Sequence, residues 1–148
     1  MKTQIDTYDL VAHIGDAVIV CDREGLITLW NPGAERMFGY TEAQALGQTL
    51  NLITPERLRN RHHDGYAHSM ETGTTRYGND VLRVPAINKD GENMSIAFTV
   101  AMLKGPDGQV TGVAAVIRNE TERFAQERAL KKRIAELEAA LQNPPTPA

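Results

Sequence analysis

The chain has 148 residues, a formal net charge of -3, 41% hydrophobic residues and 24% charged residues. This suits one compact domain of ~100–150 residues with extensions; it offers no basic stretch dense enough for nucleic acid and no apolar run near the ~18–20 residues that span a bilayer. The N-terminus lacks a secretory apolar core and the lone cysteine, Cys21, permits no intramolecular disulfide, so a reducing, cytoplasmic setting is expected, with neither nucleic acid nor membrane as a partner.

Residues 6–14 place Tyr8, Leu10, Val11 and Ile14 at helical spacing, a short amphipathic helix. The runs AVIVCD and LITLW, separated by Arg23-Glu24-Gly25, predict a β-hairpin, with Cys21 as a small buried strand residue. Asn31-Pro32 is an N-cap followed by a proline at the first helical position. A helix follows with Ala34, Met37 and Phe38 on its apolar face, stopped by Gly39. Thr41-Glu42 opens another short turn of helix, ended near Gly47. Thr54-Pro55-Glu56 repeats the cap-and-proline signal and predicts a helix to about Thr72, stopped by Gly73.

Val81–Ile87, Met94–Leu103 and Val110–Ile117 then predict three strands, joined by the polar turns Lys89-Asp90-Gly91 and Gly105-Pro106-Asp107-Gly108. A long helix from Asn119 to about Gln142 follows, and the tail NPPTPA (143–148) is expected to be disordered. Five strands joined mostly by hairpins imply an α+β fold with an antiparallel sheet. The block of short helices between the second and third strands covers one face and can enclose a cavity. Trp30, Phe38, Phe98 and Ile117 are expected against the sheet, Phe98 fully buried.

Catalytic signatures are missing. There is no G-x-S-x-G, no phosphate-cradling G-x-x-x-x-G-K-[ST] and no H-E-x-x-H. Gly39, Gly47, Gly65 and Gly73 are expected at helix stops and turns. No enzymatic activity is expected.

The informative segment is PERLRNRHHDGYAHSMET, residues 55–72, which holds His62, His63 and His68. Leu58, Tyr66 and Met70 define its apolar face. At about 100° per residue, His62 falls about 30° from the centre of that face and His63 about 70°. His62 should therefore point inward, with His63 at the edge. An inward neutral imidazole beside an apolar cavity is suited to ligating a haem iron.

Asp22, Gly25, Ile27, Asn31, Ala34, Phe38, Gly39 and Tyr40 are similar to the opening hairpin and helix of the PAS domain family. The Lys89-Asp90-Gly91 turn and the run Arg118-Asn119-Glu120-Thr121-Glu122-Arg123 resemble that domain's second half, with Asn119 able to cap the following helix. The resemblance spans about residues 8–124 and implies a PAS fold and a signalling role. Residues Pro55 to Gly73 resemble one branch in particular, the haem-binding PAS domains of oxygen-sensing histidine kinases. That resemblance implies haem b as a cofactor and a histidine as its proximal ligand.

Matching His-Asp-Gly-Tyr selects His63 as that ligand, whereas matching back from Met70-Glu71-Thr72-Gly73 selects His62. The facing argument favours His62. Tyr66, Leu82 and Phe98 complete the expected cofactor lining. Where the branch carries an oxygen-contacting arginine, this chain has Leu82, and Arg83 beside it should point away, since one residue reverses facing in a strand. An apolar non-haem ligand or an empty pocket stays open as the alternative.

Leu130, Ile134, Leu137 and Leu141 repeat at 4-3-4 spacing, the seam of a coiled coil about two heptads long. It predicts a homodimer; the competing arrangement packs the stripe back on its own domain. The expected organisation is an amphipathic helix at 1–15, a PAS domain at 16–118, a dimerising helix at 119–142 and the tail at 143–148. The expected function is a sensory module that relays the state of an internal pocket through a dimeric helix to an output domain or partner protein. A ligand-free dimerisation or scaffolding domain is the alternative.

Overall fold

The computed structural model describes residues 3–74 and 79–143. Except for Asn143, the tail expected over 143–148 lies outside the described residues. The elements are α1 (Thr7–His13), β1 (Ala17–Asp22), β2 (Ile27–Trp30), α2 (Pro32–Phe38), α3 (Glu42–Ala45), α4 (Arg59–Thr72), β3 (Leu82–Ile87), β4 (Asn93–Lys104), β5 (Val110–Asn119) and α5 (Thr121–Gln142), with 3-10 turns at Leu50–Leu52 and Glu56–Leu58. The five strands form one antiparallel sheet in the order β2-β1-β5-β4-β3. The expected α+β architecture is therefore observed.

Cross-strand register defines the inner face. Leu82 lies opposite Phe98, Phe98 opposite Ile117, and Ile117 opposite Ala17. Side chains alternate along a strand, so Ile19, Cys21, Met94 and Ile96 share this face. The helices of residues 31–72 supply Ala34, Phe38, Ala45 and Ile53 to the same core. Trp30 is 1% exposed and Phe38 0%. Their rings meet at a centroid distance of 5.8 Å, and the Trp30 indole donates to the Tyr40 carbonyl at 3.0 Å. The aromatic body is thus buried without stranding its polar edge.

Asn31 does more than cap α2. Its Oδ1 accepts from the amides of Val18 at 2.8 Å and Ala34 at 2.9 Å; its Nδ2 donates to the carbonyls of Val11 at 3.0 Å and Asp16 at 3.1 Å. One buried amide therefore joins α1, the entry to β1 and the start of α2. Gly33 follows from the same junction. A β-carbon there would stand 2.2 Å from the Asp16 carbonyl oxygen, so a side chain would drive the backbone apart.

Several local expectations are corrected. Thr54 does not cap α4; its hydroxyl donates to the Leu50 carbonyl at 2.7 Å, and the chain makes a 3-10 turn before α4 begins at Arg59. Gly65 lies inside α4 and marks no turn. Phe98 is half-buried: it packs against the core, but burial along β4 stops at Ala97. Asn119 acts one position early: its Oδ1 accepts from the Thr121 amide at 3.0 Å, while Glu120 occupies the cap position. The stripe on α5 does not fold back onto the domain, since no residue of α5 is buried.

Asn31→Ala removes a helix cap and strands buried backbone groups, so it should cost about 2–4 kcal/mol, a large share of the ~5–15 kcal/mol of a typical domain. Asn31→Asp should also destabilise at neutral pH, because a carboxylate would face the Val11 and Asp16 carbonyls. Urea denaturation of both variants measures this; a loss within ~0.5 kcal/mol for Asn31→Ala would mean the junction does not depend on this amide.

Candidate functional site

The β1–β2 turn and α4 enclose the candidate site. Asp22 shapes the turn: its Oδ1 accepts from the amides of Glu24 at 3.0 Å and Leu26 at 2.9 Å. Gly25 takes a φ of 86°, a left-handed conformation that favours glycine. From the other side, the Tyr66 hydroxyl of α4 donates to the Asp22 carbonyl. The foot of α4 is held by Arg59, whose guanidinium donates to the carbonyls of Thr54 at 3.2 Å and Asn51 at 3.3 Å. Between these ties lies a cleft of about 270 Å³, whose lining includes Arg23, Thr49, Leu50, His62, His63 and Tyr66.

The two adjacent histidines differ in environment, as their phase on the helix predicts. His62 is half-buried, and its Nδ1 is a buried atom without a hydrogen-bond partner among the described residues. His63 is exposed, and its Nε2 donates to Asn51 Oδ1 at 2.9 Å. His68 is exposed. Burial, and secondarily the neighbouring His63, push the His62 pKa below 6.5. The neutral imidazole, the form that can donate a lone pair, is therefore favoured. Tyr66 is held well above its ordinary value, chiefly by burial, so it stays a phenol and a donor. Cys21, beneath the turn, is pushed up to about 12 by burial and by Asp22, which leaves an unreactive thiol.

Of the expected cofactor residues, the cleft brings together His62, His63 and Tyr66. Leu82 and Phe98 are not part of its lining. They face each other across β3 and β4, both half-buried on the inner face of the sheet. Arg83, opposite Ala97, is exposed on the other face. Sequence reasoning missed Arg23, Thr49 and Leu50. They reach the cleft through non-local folding, and no spacing in the chain announces it. Arg23 is also anchored across the sheet, donating to the Val110 carbonyl at 2.9 Å.

A buried histidine with a lowered pKa couples folding to pH. The unfolded chain takes up a proton near pH ~6.5 where the folded chain resists it. Stability is then full above ~6.5 and is lost as pH falls through the lower folded value. Replacing His62 with Leu should flatten the fall in urea midpoint between pH 7.5 and 5. An identical fall in both proteins would mean His62 is not protected from protonation.

A family model described as PAS fold matches residues 11–125. The sensor protein FixL of Bradyrhizobium diazoefficiens strain USDA 110 is 32% identical over 126 residues, which make up 84% of this chain and 24% of FixL. The oxygen sensor protein DosP of Escherichia coli strain K12 is 24% identical over 118 residues, 80% of this chain and 14% of DosP. The chain thus spans a quarter or less of the length of these relatives. Among solved structures, the PAS domain of a protein from Colwellia psychrerythraea superposes with a TM-score of 0.68 at 24% identity, covering 78% of this chain and 95% of that one.

Proposed function

The chain belongs to the PAS fold family, and we propose that it acts there as a non-catalytic sensory module: a small ligand, haem b foremost, binds beside α4, and its state is relayed through α5 in a homodimer to an output domain or partner protein. The observation that carries this reading is His62, which lines the cleft and whose buried Nδ1 has no hydrogen-bond partner among the described residues. Unpaired buried polar atoms are rare and mark sites that something else completes. The names of FixL and DosP, both sensors, support the same reading.

A neutral imidazole is the ligand type that haem iron takes. His62 would hold the iron, and Arg23 and His63 add polar groups to the lining. Haem, when bound, supplies an iron that can take up a diatomic ligand or an electron. The present cleft of about 270 Å³ lies just below the ~300–1,000 Å³ of small-molecule pockets. A macrocycle therefore requires α4 to move outward, with the Tyr66–Asp22 hydrogen bond as the tie that must yield. The same narrowness favours the second reading, a ligand-free dimerisation or scaffolding domain. The expected division into a helix at 1–15, a domain at 16–118 and a dimerising helix at 119–142 belongs to this proposal too, as does a cytoplasmic setting.

Reconstitution of apo-protein with hemin tests the reading. A specific Soret band is expected for the wild type and for His63→Ala, and its loss for His62→Ala. Acid should release the haem as the imidazole protonates. Loss with His63→Ala alone would move the ligand by one residue. A wild type without a specific Soret shift would remove haem and leave the ligand-free reading.

Shortening the chain at Arg123 tests the relay. The shortened protein should dimerise more weakly in light scattering; unchanged dimer affinity would take the interface away from α5 and point to α1, where Tyr8 and Leu10 are exposed.

A further inference from the structure

The seam on α5 carries orientation as well as association. Leu130, Ile134, Leu137 and Leu141 remain 63%, 54%, 48% and 82% exposed. Their 4-3-4 spacing assigns Leu130 and Leu137 to heptad position d, and Ile134 and Leu141 to position a. At Ile134 the seam has a β-branched residue at a between leucines at d, the pattern that favours two parallel strands; the other a position holds Leu141. The flanking positions then become specific: Arg133 falls at g and Glu138 at the following e. In a parallel pair of helices, g of one chain meets the next e of its partner, so Arg133 faces Glu138 twice across the two-fold axis.

In an antiparallel pair with the same layers, g meets g and e meets e. Glu138 then meets Lys131 and Arg133 meets Ala140. The two arrangements therefore use different charges. Within one chain Arg133 reaches only Glu136, at 3.5 Å on an open surface, a contact too weak to hold it back from a partner.

Resting on the dimeric reading above, we propose that α5 is a self-recognition surface whose occupant is a second copy of this chain, aligned in parallel and in register by reciprocal Arg133–Glu138 pairs. Both domains of the dimer then lie at the same end of the paired helices. The apolar seam covers only about two heptads, so the charges contribute a substantial part of the specificity, and affinity should fall as salt rises.

Sedimentation velocity on the full chain tests this with the wild type and three variants at low salt. Arg133→Glu alone and Glu138→Arg alone each replace two attractions with two repulsions and should weaken the dimer by about tenfold. An equimolar mixture of the two variants should regain wild-type affinity, because each mixed dimer then has two complementary pairs. The double variant should regain it as well. The positions are on an exposed helix, and circular dichroism checks that all variants fold alike. Weakening by Glu138→Arg without rescue in the mixture would mean an antiparallel pair; no effect of either variant would mean that these residues do not meet. Either result overturns the proposal while leaving a dimer. A wild type that is monomeric at every concentration would overturn the dimeric reading itself, and this inference with it.

Discussion

The fold depends on one buried amide. Asn31 holds four backbone groups drawn from four places in the chain, namely Val11, Asp16, Val18 and Ala34. An amide side chain is suited to this because it presents two acceptor and two donor directions in one plane. A carboxylate lacks the donors and a hydroxyl lacks the reach. Once Asn31 is satisfied, the entry to β1, the start of α2 and the docking of α1 are fixed together. The Asp16 carbonyl it holds then leaves no room for a β-carbon at residue 33. Downstream, the position of β1 decides where Asp22 stands, and hence where Tyr66 of α4 finds its acceptor.

The two sides of the helical block are held differently. Around Trp30 and Phe38 the side chains are enclosed and the polar groups are paired within the core. Around α4 only Met70 is buried in the helix, and the named ties are side-chain hydrogen bonds from Arg59, His63 and Tyr66. Breaking such ties costs far less than opening a packed core. The cleft therefore lies where the structure can yield, beside a frame that cannot, an arrangement suited to a pocket that changes shape with its contents.

Legibility in the sequence followed the range of the interaction. Asn31-Pro32, the Asp22–Gly25 turn and Gly39 act within a few residues, and each marks its element correctly because its physics is local. The inward phase of His62 was legible for the same reason, since helix periodicity is a local property. Thr54 misled because its hydroxyl had a competing acceptor at Leu50, a 3-10 alternative that the cap-and-proline pattern does not distinguish. Phe98 misled because alternation gives the face of a strand residue but not how far along the strand that face is covered. The tie between Tyr66 and Asp22, 44 residues apart, and the arrival of Arg23 and Thr49 at the cleft are products of tertiary folding. Nothing in the spacing of the chain encodes them separately.

The sheet reaches α5 through β4 and β5. β5 is central, paired with β1 on one side and β4 on the other, and it passes into α5 through the single residue Glu120. Ser95 of β4 clamps that passage with both of its backbone groups: its carbonyl accepts from the Glu120 amide at 2.8 Å, and its amide donates to Thr121 Oγ1 at 3.1 Å. These two bonds tie the first turn of α5 to β4, so a slide of β4 against β5 would bear on that turn first. The helix has 22 residues, a lever of about 33 Å at 1.5 Å per residue. A tilt of about 5° at its base then displaces the far end by about 3 Å, comparable to the reach of an ion pair. A long, thickly apolar seam would resist such a displacement. On the proposed pairing, a seam of two heptads flanked by charge yields to such a displacement, so a small motion in the sheet would be read at the end of the helix.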